Sequence, residues 1–309
     1  MISTANSGLH RYLKPLAHLG AFLTVVAWGT SFISTKVLME DAGLTPIEVY
    51  IYRFILAYLI LLALTFKKRW ANNWKDELQF MLCGICCGSL YYVLENYALL
   101  YTTTGNVSLL SSVSPLITTA LTVLVFRTKV GAGVIIGSAI AFAGVACVIF
   151  SHGEGFEINP LGDLLALSTA LSWAIYAIGI KRLVPSYSTL FVTRKLFLYG
   201  VVSAVPFLMI QAEPYHLEMI LSPAHLEYML NFVFLVGFCS IGGFLVWNES
   251  IRILGPVAAN NYLYLQPLVT MVVAYFVFDE KIFMLGYIGC ILIIGGLIIA
   301  DKLKLKSSE

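Results

Sequence analysis

Ten apolar runs, each long enough to cross a lipid bilayer, follow one another with little chain between them, near 17–38, 47–66, 78–101, 105–126, 130–150, 161–183, 189–210, 228–251, 257–278 and 282–301. A spanning helix needs about 20 consecutive apolar residues, so ten spans consume about 200 residues. In hydrocarbon every backbone amide must find its partner inside the protein, which leaves helices or closed barrels. The runs are continuous rather than alternating at every second residue, so they predict helices and not barrel strands. Composition agrees: 59% of the 309 residues are hydrophobic and only 12% charged, about half the charged share of a soluble domain. That excludes an ordinary water-soluble enzyme, a nucleic-acid binder and a disordered regulator. The formal net charge of +2 is too small to hold a polyanion. The lipid bilayer is the first expected partner, and nucleic acid is not one.

Lysine and arginine set the direction. With the N-terminus placed inside, fourteen of the nineteen fall in inner segments and only Lys281 in an outer loop. The bias supports an even number of spans and predicts a multi-pass protein of the inner, cytoplasmic membrane with both termini in the cytoplasm. The N-terminal run is too long for a signal-peptide core and lacks a small-residue cleavage pattern, so it reads as an uncleaved first span. The longest outer loop, about 211–227, is expected to carry at most a small surface helix.

Nothing in the pattern asks for a cofactor or metal. Cys83, Cys86, Cys87, Cys147, Cys239 and Cys290 all sit inside apolar runs, without the spacing of a zinc site. No phosphate-binding glycine-rich loop occurs, so ATP is not expected to drive the protein directly.

The chain repeats itself. Shifted by 152 residues, 96–144 aligns with 248–296 without a gap, and ten positions are identical, among them Asn96/Asn248, Pro115/Pro267, Gly137/Gly289 and Gly144/Gly296. Earlier in each half the offset shortens: Trp28 and Lys36 match Trp173 and Lys181 at 145, and Arg53 matches Arg194 at 141. The division predicted is 1–150 and 151–309, five spans each. Because five is odd, the second half enters the membrane from the opposite side. Inverted repeats place a substrate site at their interface near the midplane and support alternating access.

The pattern WGTSF at 28–32, an interior Arg53, NYALLYTTTGNVSLLSSVSPL at 96–116 and NESIRILGPVAANNYLYLQPL at 248–268 resembles the EamA family of the drug/metabolite transporter superfamily, over nearly the whole chain. The resemblance implies an all-α membrane protein of ten helices in two inverted five-helix repeats. It implies a central cavity lined by spans 1, 3, 4, 6, 8 and 9, with spans 5 and 10 at the rim. It also implies traffic in amino acids, related metabolites or drugs, often outward.

Candidate path residues come from the repeat. Ser108, Ser112 and Pro115 share one face of span 4, and their counterparts Asn260, Tyr264 and Pro267 share one face of span 9. Each stripe ends at a proline that frees a carbonyl and kinks its helix; the alternative role is polar glue between helices. Trp28, Tyr91, Tyr92, Trp173, Tyr176 and Trp247 lie on cavity spans and offer flat apolar walls with cation–π attraction for a cationic ligand, against an interfacial aromatic belt. Charges inside a span are functional by default. Glu95 is a receptor for a substrate amine, a carrier of a coupling proton, or an ion-pair partner of Arg53 or Lys36. Arg194 and Lys195, near the inner surface, are expected to snorkel, and Glu249 and Arg252 to pair at i, i+3. Asn96 and Asn248 hydrogen-bond ligand or backbone. Gly133, Gly137, Ala141 and Gly144, with Gly286, Gly289, Cys290 and Gly296, allow close helix approach, with a dimer seam as the lesser use; the oligomeric state is left open.

The expected function is secondary transport of a small-molecule substrate, an amino acid or an aromatic or amphiphilic compound, driven by its gradient or by protons. Its rivals are transport of a nucleotide sugar or other anionic solute, which would put Arg53 and Lys36 against substrate, and an intramembrane enzyme or receptor. An enzyme needs a nucleophile and base, or metal ligands, converging within the membrane, and the sequence offers only Glu95 and scattered tyrosines.

Overall fold

The computed structural model describes residues 3–102, 104–150, 159–210, 215–278 and 283–304. Among these, all regular structure is helical. The helices are α1 (Ser3–Glu40), α2 (Pro46–Thr65), α3 (Trp74–Cys87), α4 (Ser89–Tyr101), α5 (Thr104–Ser111), α6 (Ser114–Phe126), α7 (Ala132–Phe150), α8 (Pro160–Leu183) and α9 (Thr189–Met209). They continue as α10 (Leu217–Leu221), α11 (Leu226–Phe234), α12 (Gly243–Leu254), α13 (Pro256–Asn261), α14 (Gln266–Phe278) and α15 (Met284–Lys304). A π-helical stretch, Leu235–Gly242, joins α11 to α12, and a 3-10 turn, Tyr262–Leu265, joins α13 to α14.

Eight rods among the described residues are long and apolar enough to span a bilayer, and Met284–Ala300 is a shorter apolar helix. The ten predicted spans map onto these nine and the broken rod α13–α14. Their outward faces are greasy: Leu16, Leu23, Leu64, Ile135 and Ile291 are each more than half exposed, a surface that needs lipid rather than water. Lys281 lies outside the described residues.

Caps fix several rod ends. The Thr45 side chain accepts from the Glu48 amide while Glu48 accepts from the Thr45 amide, opening α2 with a reciprocal capping box. Asn73, Asn159 and Ser188 do the same one-sided job for α3, α8 and α9, each worth about 1 kcal/mol. Glu48 is wholly buried and also accepts from Tyr52 Oη at 2.9 Å and the His216 amide at 2.8 Å. It thereby pins the segment leading into α10, the small surface helix expected in that loop, over the start of α2.

Four predicted spans are interrupted, and the interruptions obey the repeat. The third breaks at Gly88, whose counterpart 152 residues on is Ser240, inside the π-helical stretch of the eighth. The fourth breaks at Ser112–Val113, whose counterparts are Tyr264 and Leu265, inside the 3-10 turn of the ninth. Gly88 also sits where a Cβ would lie 2.9 Å from Gly200 Cα, so α9 passes too close for any side chain.

The fifth and tenth spans, α7 and α15, meet backbone to backbone. A Cβ on Gly144 would lie 2.7 Å from the Gly289 carbonyl, and one on Gly296 would strike Ala141 and the Gly137 carbonyl. The contacts are Gly137 with Gly296 and Gly144 with Gly289, so the numbers rise on one helix as they fall on the other: the pair is antiparallel. Gly137 meets Ala300 as Gly289 meets Val148, again 152 residues apart. A two-fold axis across the helix axes relates the two contacts, as inversion requires. Gly137, Ala141, Gly144, Gly289 and Gly296 are thus used within the chain, as packing.

Candidate transport site

The aromatic residues singled out on separate spans converge. Trp28 of α1 lies edge-on to Trp173 of α8, ring centres 5.6 Å apart, and 5.0 Å from Trp247 of α12. Trp173 touches Tyr91 of α4 at 5.7 Å and Tyr176 at 5.1 Å. Tyr91 leads to Tyr92 at 5.3 Å, and Tyr92 to Tyr50 of α2 at 4.7 Å. Phe54, Phe197 and Phe244 close the nest from α2, α9 and α12. Six helices thus contribute to one continuous aromatic lining. Edge-to-face pairs add about 0.5–1.5 kcal/mol each beyond the area they bury, so the nest is also structural.

Polar groups stand at its border. Tyr91 Oη donates to Glu95 Oε1 at 3.2 Å. Trp28 Nε1 donates to the Cys239 carbonyl at 2.9 Å, and Arg53 Nε to Ser240 Oγ at 2.9 Å. Both acceptors, a carbonyl of Cys239 and the hydroxyl of Ser240, lie in the π-helical stretch, a geometry frequent at functional sites. The ion pair considered between Glu95 and Arg53 is not among the described contacts, and Lys36 lies 3.9 Å from Glu40, one turn away.

The other candidates are placed differently. Tyr176 Oη donates to Asn248 Oδ1 at 2.7 Å, and Asn248 Nδ2 to Thr193 Oγ1 at 3.0 Å; all three are buried and tie α8, α12 and α9 together. Asn260 Nδ2 donates to Thr118 Oγ1 at 2.6 Å, joining α13 to α6. Ser112 Oγ turns back onto the Ser108 carbonyl at 2.8 Å. Tyr264 is wholly buried, the Pro115 carbonyl accepts from Thr119 Oγ1, and Pro267 is the second residue of α14. Among the described residues the two stripes make contacts within and between helices, and no ring contact joins Tyr264 to the aromatic nest. The Asn96 side chain lies outside the described residues.

One expectation is corrected. Arg194 and Lys195 do not snorkel: they are 2% and 1% exposed. Arg194 Nη1 donates to the Thr65 carbonyl at 2.7 Å and Nη2 to the Lys68 carbonyl. Lys195 Nζ donates to Glu77 Oε1 at 2.5 Å, and Tyr199 Oη to the same oxygen. The cause is twofold: the end of α2 and the segment after it offer carbonyls to Arg194, and the first turn of α3 offers the Glu77 carboxylate to Lys195. Beside it, Tyr187 Oη donates to Asp76 Oδ2 at 2.5 Å and accepts from the Asn72 amide. Burial, then the Asp76 carboxylate, push that phenol above its ordinary range. Arg252 Nη1 meets Glu249 at 2.9 Å, as the i, i+3 spacing predicts. This network closes the end of the bundle that carries the N-terminus.

Sequence reading missed Tyr50, Phe54, Phe197, Phe244 and Ser240. Tyr50, Arg53 and Phe54 recur at i, i+3, i+4, and Phe244 precedes Trp247 by three, so a shared-face signal was available for three of them, Tyr50, Phe54 and Phe244.

A model described as the EamA-like transporter family matches residues 15–150 and again 160–300. An uncharacterized transporter of Archaeoglobus fulgidus is 29% identical over 289 residues, 90% of this chain and 95% of that protein. A probable terminal-alkyne amino-acid exporter of Streptantibioticus cattleyicolor is 24% identical, with 91% of each chain covered. A solved crystal structure superposes with a TM-score of 0.77 over 96% of this chain and 100% of that one, at 17% identity, a likeness of fold.

Proposed function

Because the chain belongs to the EamA-like transporter family, we propose that it is a secondary transporter of a small metabolite, an amino acid or an aromatic or amphiphilic compound, working by alternating access. The single observation that carries this reading is the aromatic nest with the Glu95 carboxylate at its edge. Rings from six helices suit a flat apolar group, and a carboxylate inside a span suits an amine or a proton. The exporter named among the relatives supports the amino-acid class and the outward direction. The lysine and arginine bias supports a cytoplasmic-membrane location with both termini in the cytoplasm, and the two family matches support a division into halves near residue 150.

The test is counterflow in proteoliposomes loaded with unlabelled solute and presented with labelled solute outside. Exchange is expected for at least one aromatic amino acid or aromatic amine. Exchange of nucleotide sugars alone would replace the substrate class, and no exchange of any solute in the panel would remove the transport reading.

A further inference from the structure

We propose that Arg53 is the receptor for the carboxylate of a zwitterionic substrate whose ammonium group is held by Glu95, an assignment that rests on the transport reading above. Arg53 is 6% exposed, yet among the described residues it has no carboxylate within ion-pair distance. Its described bonds spend only Nε, on Ser240 Oγ, which leaves the Nη1 and Nη2 edge of the guanidinium. That edge is the part shaped to take both oxygens of a carboxylate. A guanidinium inside a membrane protein without an acidic partner is an expensive group to keep, and a bound anion is what offsets its cost.

The neighbourhood says which anion. Arg53 lies seven residues into α2 from Pro46, and Glu95 six residues before the end of α4 at Tyr101; at 1.5 Å per residue both sit about 10 Å below the same end of the bundle. Between them runs a chain of rings: the guanidinium carbon is 4.8 Å from the Phe54 ring centre, Phe54 is 6.3 Å from Tyr92, Tyr92 is 5.3 Å from Tyr91, and Tyr91 donates to Glu95. Tyr92 lies within electrostatic reach of both charges. A cation and an anion held apart at one depth, joined by flat apolar walls, match an amino group and a carboxylate on one small molecule with an apolar side chain. A phosphate or sugar phosphate fits the Arg53 end and is repelled by Glu95.

The experiment uses the same proteoliposomes. L-phenylalanine and L-leucine are each compared with their amides and with the amines that lack the carboxyl, phenethylamine and isoamylamine. Wild-type protein should move at least one acid in preference to its amide by roughly tenfold or more, the value of a hydrogen bond to a charged group. Arg53→Gln should remove that preference by slowing the acid far more than the amine; Arg53→Lys, which keeps charge without the fork, should retain part of it. If Arg53→Gln does not fold, the wild-type ratio and Arg53→Lys decide. Amines moved as well as or better than acids by wild-type protein would overturn the assignment and leave the transport reading standing, as would an unchanged ratio in Arg53→Gln. Movement of phosphate esters in place of amino acids would also overturn it. No flux of any probe would sink both.

Discussion

Lys195 Nζ and Glu77 Oε1 lie 2.5 Å apart with both side chains almost wholly buried, joining the first turn of α3 to the second turn of α9. Breaking a buried pair from one side strands the other charge, which costs about 3–5 kcal/mol. Glu77→Gln should therefore lower the thermal midpoint in detergent by many degrees, whereas replacing both groups with apolar residues of similar volume should recover most of the loss. An unchanged midpoint for Glu77→Gln would show that the pair contributes nothing to cohesion.

Gly296 and Gly295 are neighbours with opposite surroundings. A Cβ at Gly296 meets Ala141 and the Gly137 carbonyl, whereas one at Gly295 meets nothing within 4 Å. Gly296→Val should part α7 from α15 and destabilise by about 1–3 kcal/mol, the usual cost of overpacking. Gly295→Val should be near neutral, and thermal scans of the two side by side decide the point.

Tyr187 carries a pH signature. Its phenol is held above its ordinary range by burial and by donation to Asp76, so the folded protein keeps this proton after the unfolded chain has lost it. The stabilisation is complete below the ordinary tyrosine range, near 10, and is lost as pH rises through the folded value. Tyr187→Phe should lower stability near neutral pH and flatten the alkaline decline. Parallel unfolding curves for variant and wild type from pH 7 to 11 would refute it.

Glu95→Gln removes the carboxylate but keeps the size. Transport of amine-bearing solutes should fall by roughly tenfold or more, on the scale of one charged hydrogen bond, with expression and thermal midpoint held. Flux that matches wild type at every pH would leave Glu95 with no part in substrate or proton handling.

The rods were legible in the sequence because lipid demands long apolar runs, and the polar breaks between them are short. The interruptions at Gly88 and across Leu235–Gly242 were not, since glycine is common in membrane helices and a π turn has no residue code of its own. Arg194 and Lys195 misled for a related reason: nearness to a helix end implies snorkelling, but the fold of α2 into α3 decides whether they meet water or, as here, carbonyls for Arg194 and the Glu77 carboxylate for Lys195. At the site, the aromatic positions could be picked one span at a time, yet only folding shows that Trp28, Tyr91, Trp173 and Trp247 share one nest. The serine stripe at 108 and 112 assumed an unbroken helix, but the helix breaks at Ser112 and its hydroxyl turns back onto the Ser108 carbonyl.

The described contacts of the glycine seam between α7 and α15 are backbone atoms and apolar side chains, groups that acid, alkali and salt do not grip. Solution conditions that loosen the ion-paired mouth of the bundle leave this keel untouched. Whatever rocking the molecule performs must take its bearings from a joint defined by shape alone.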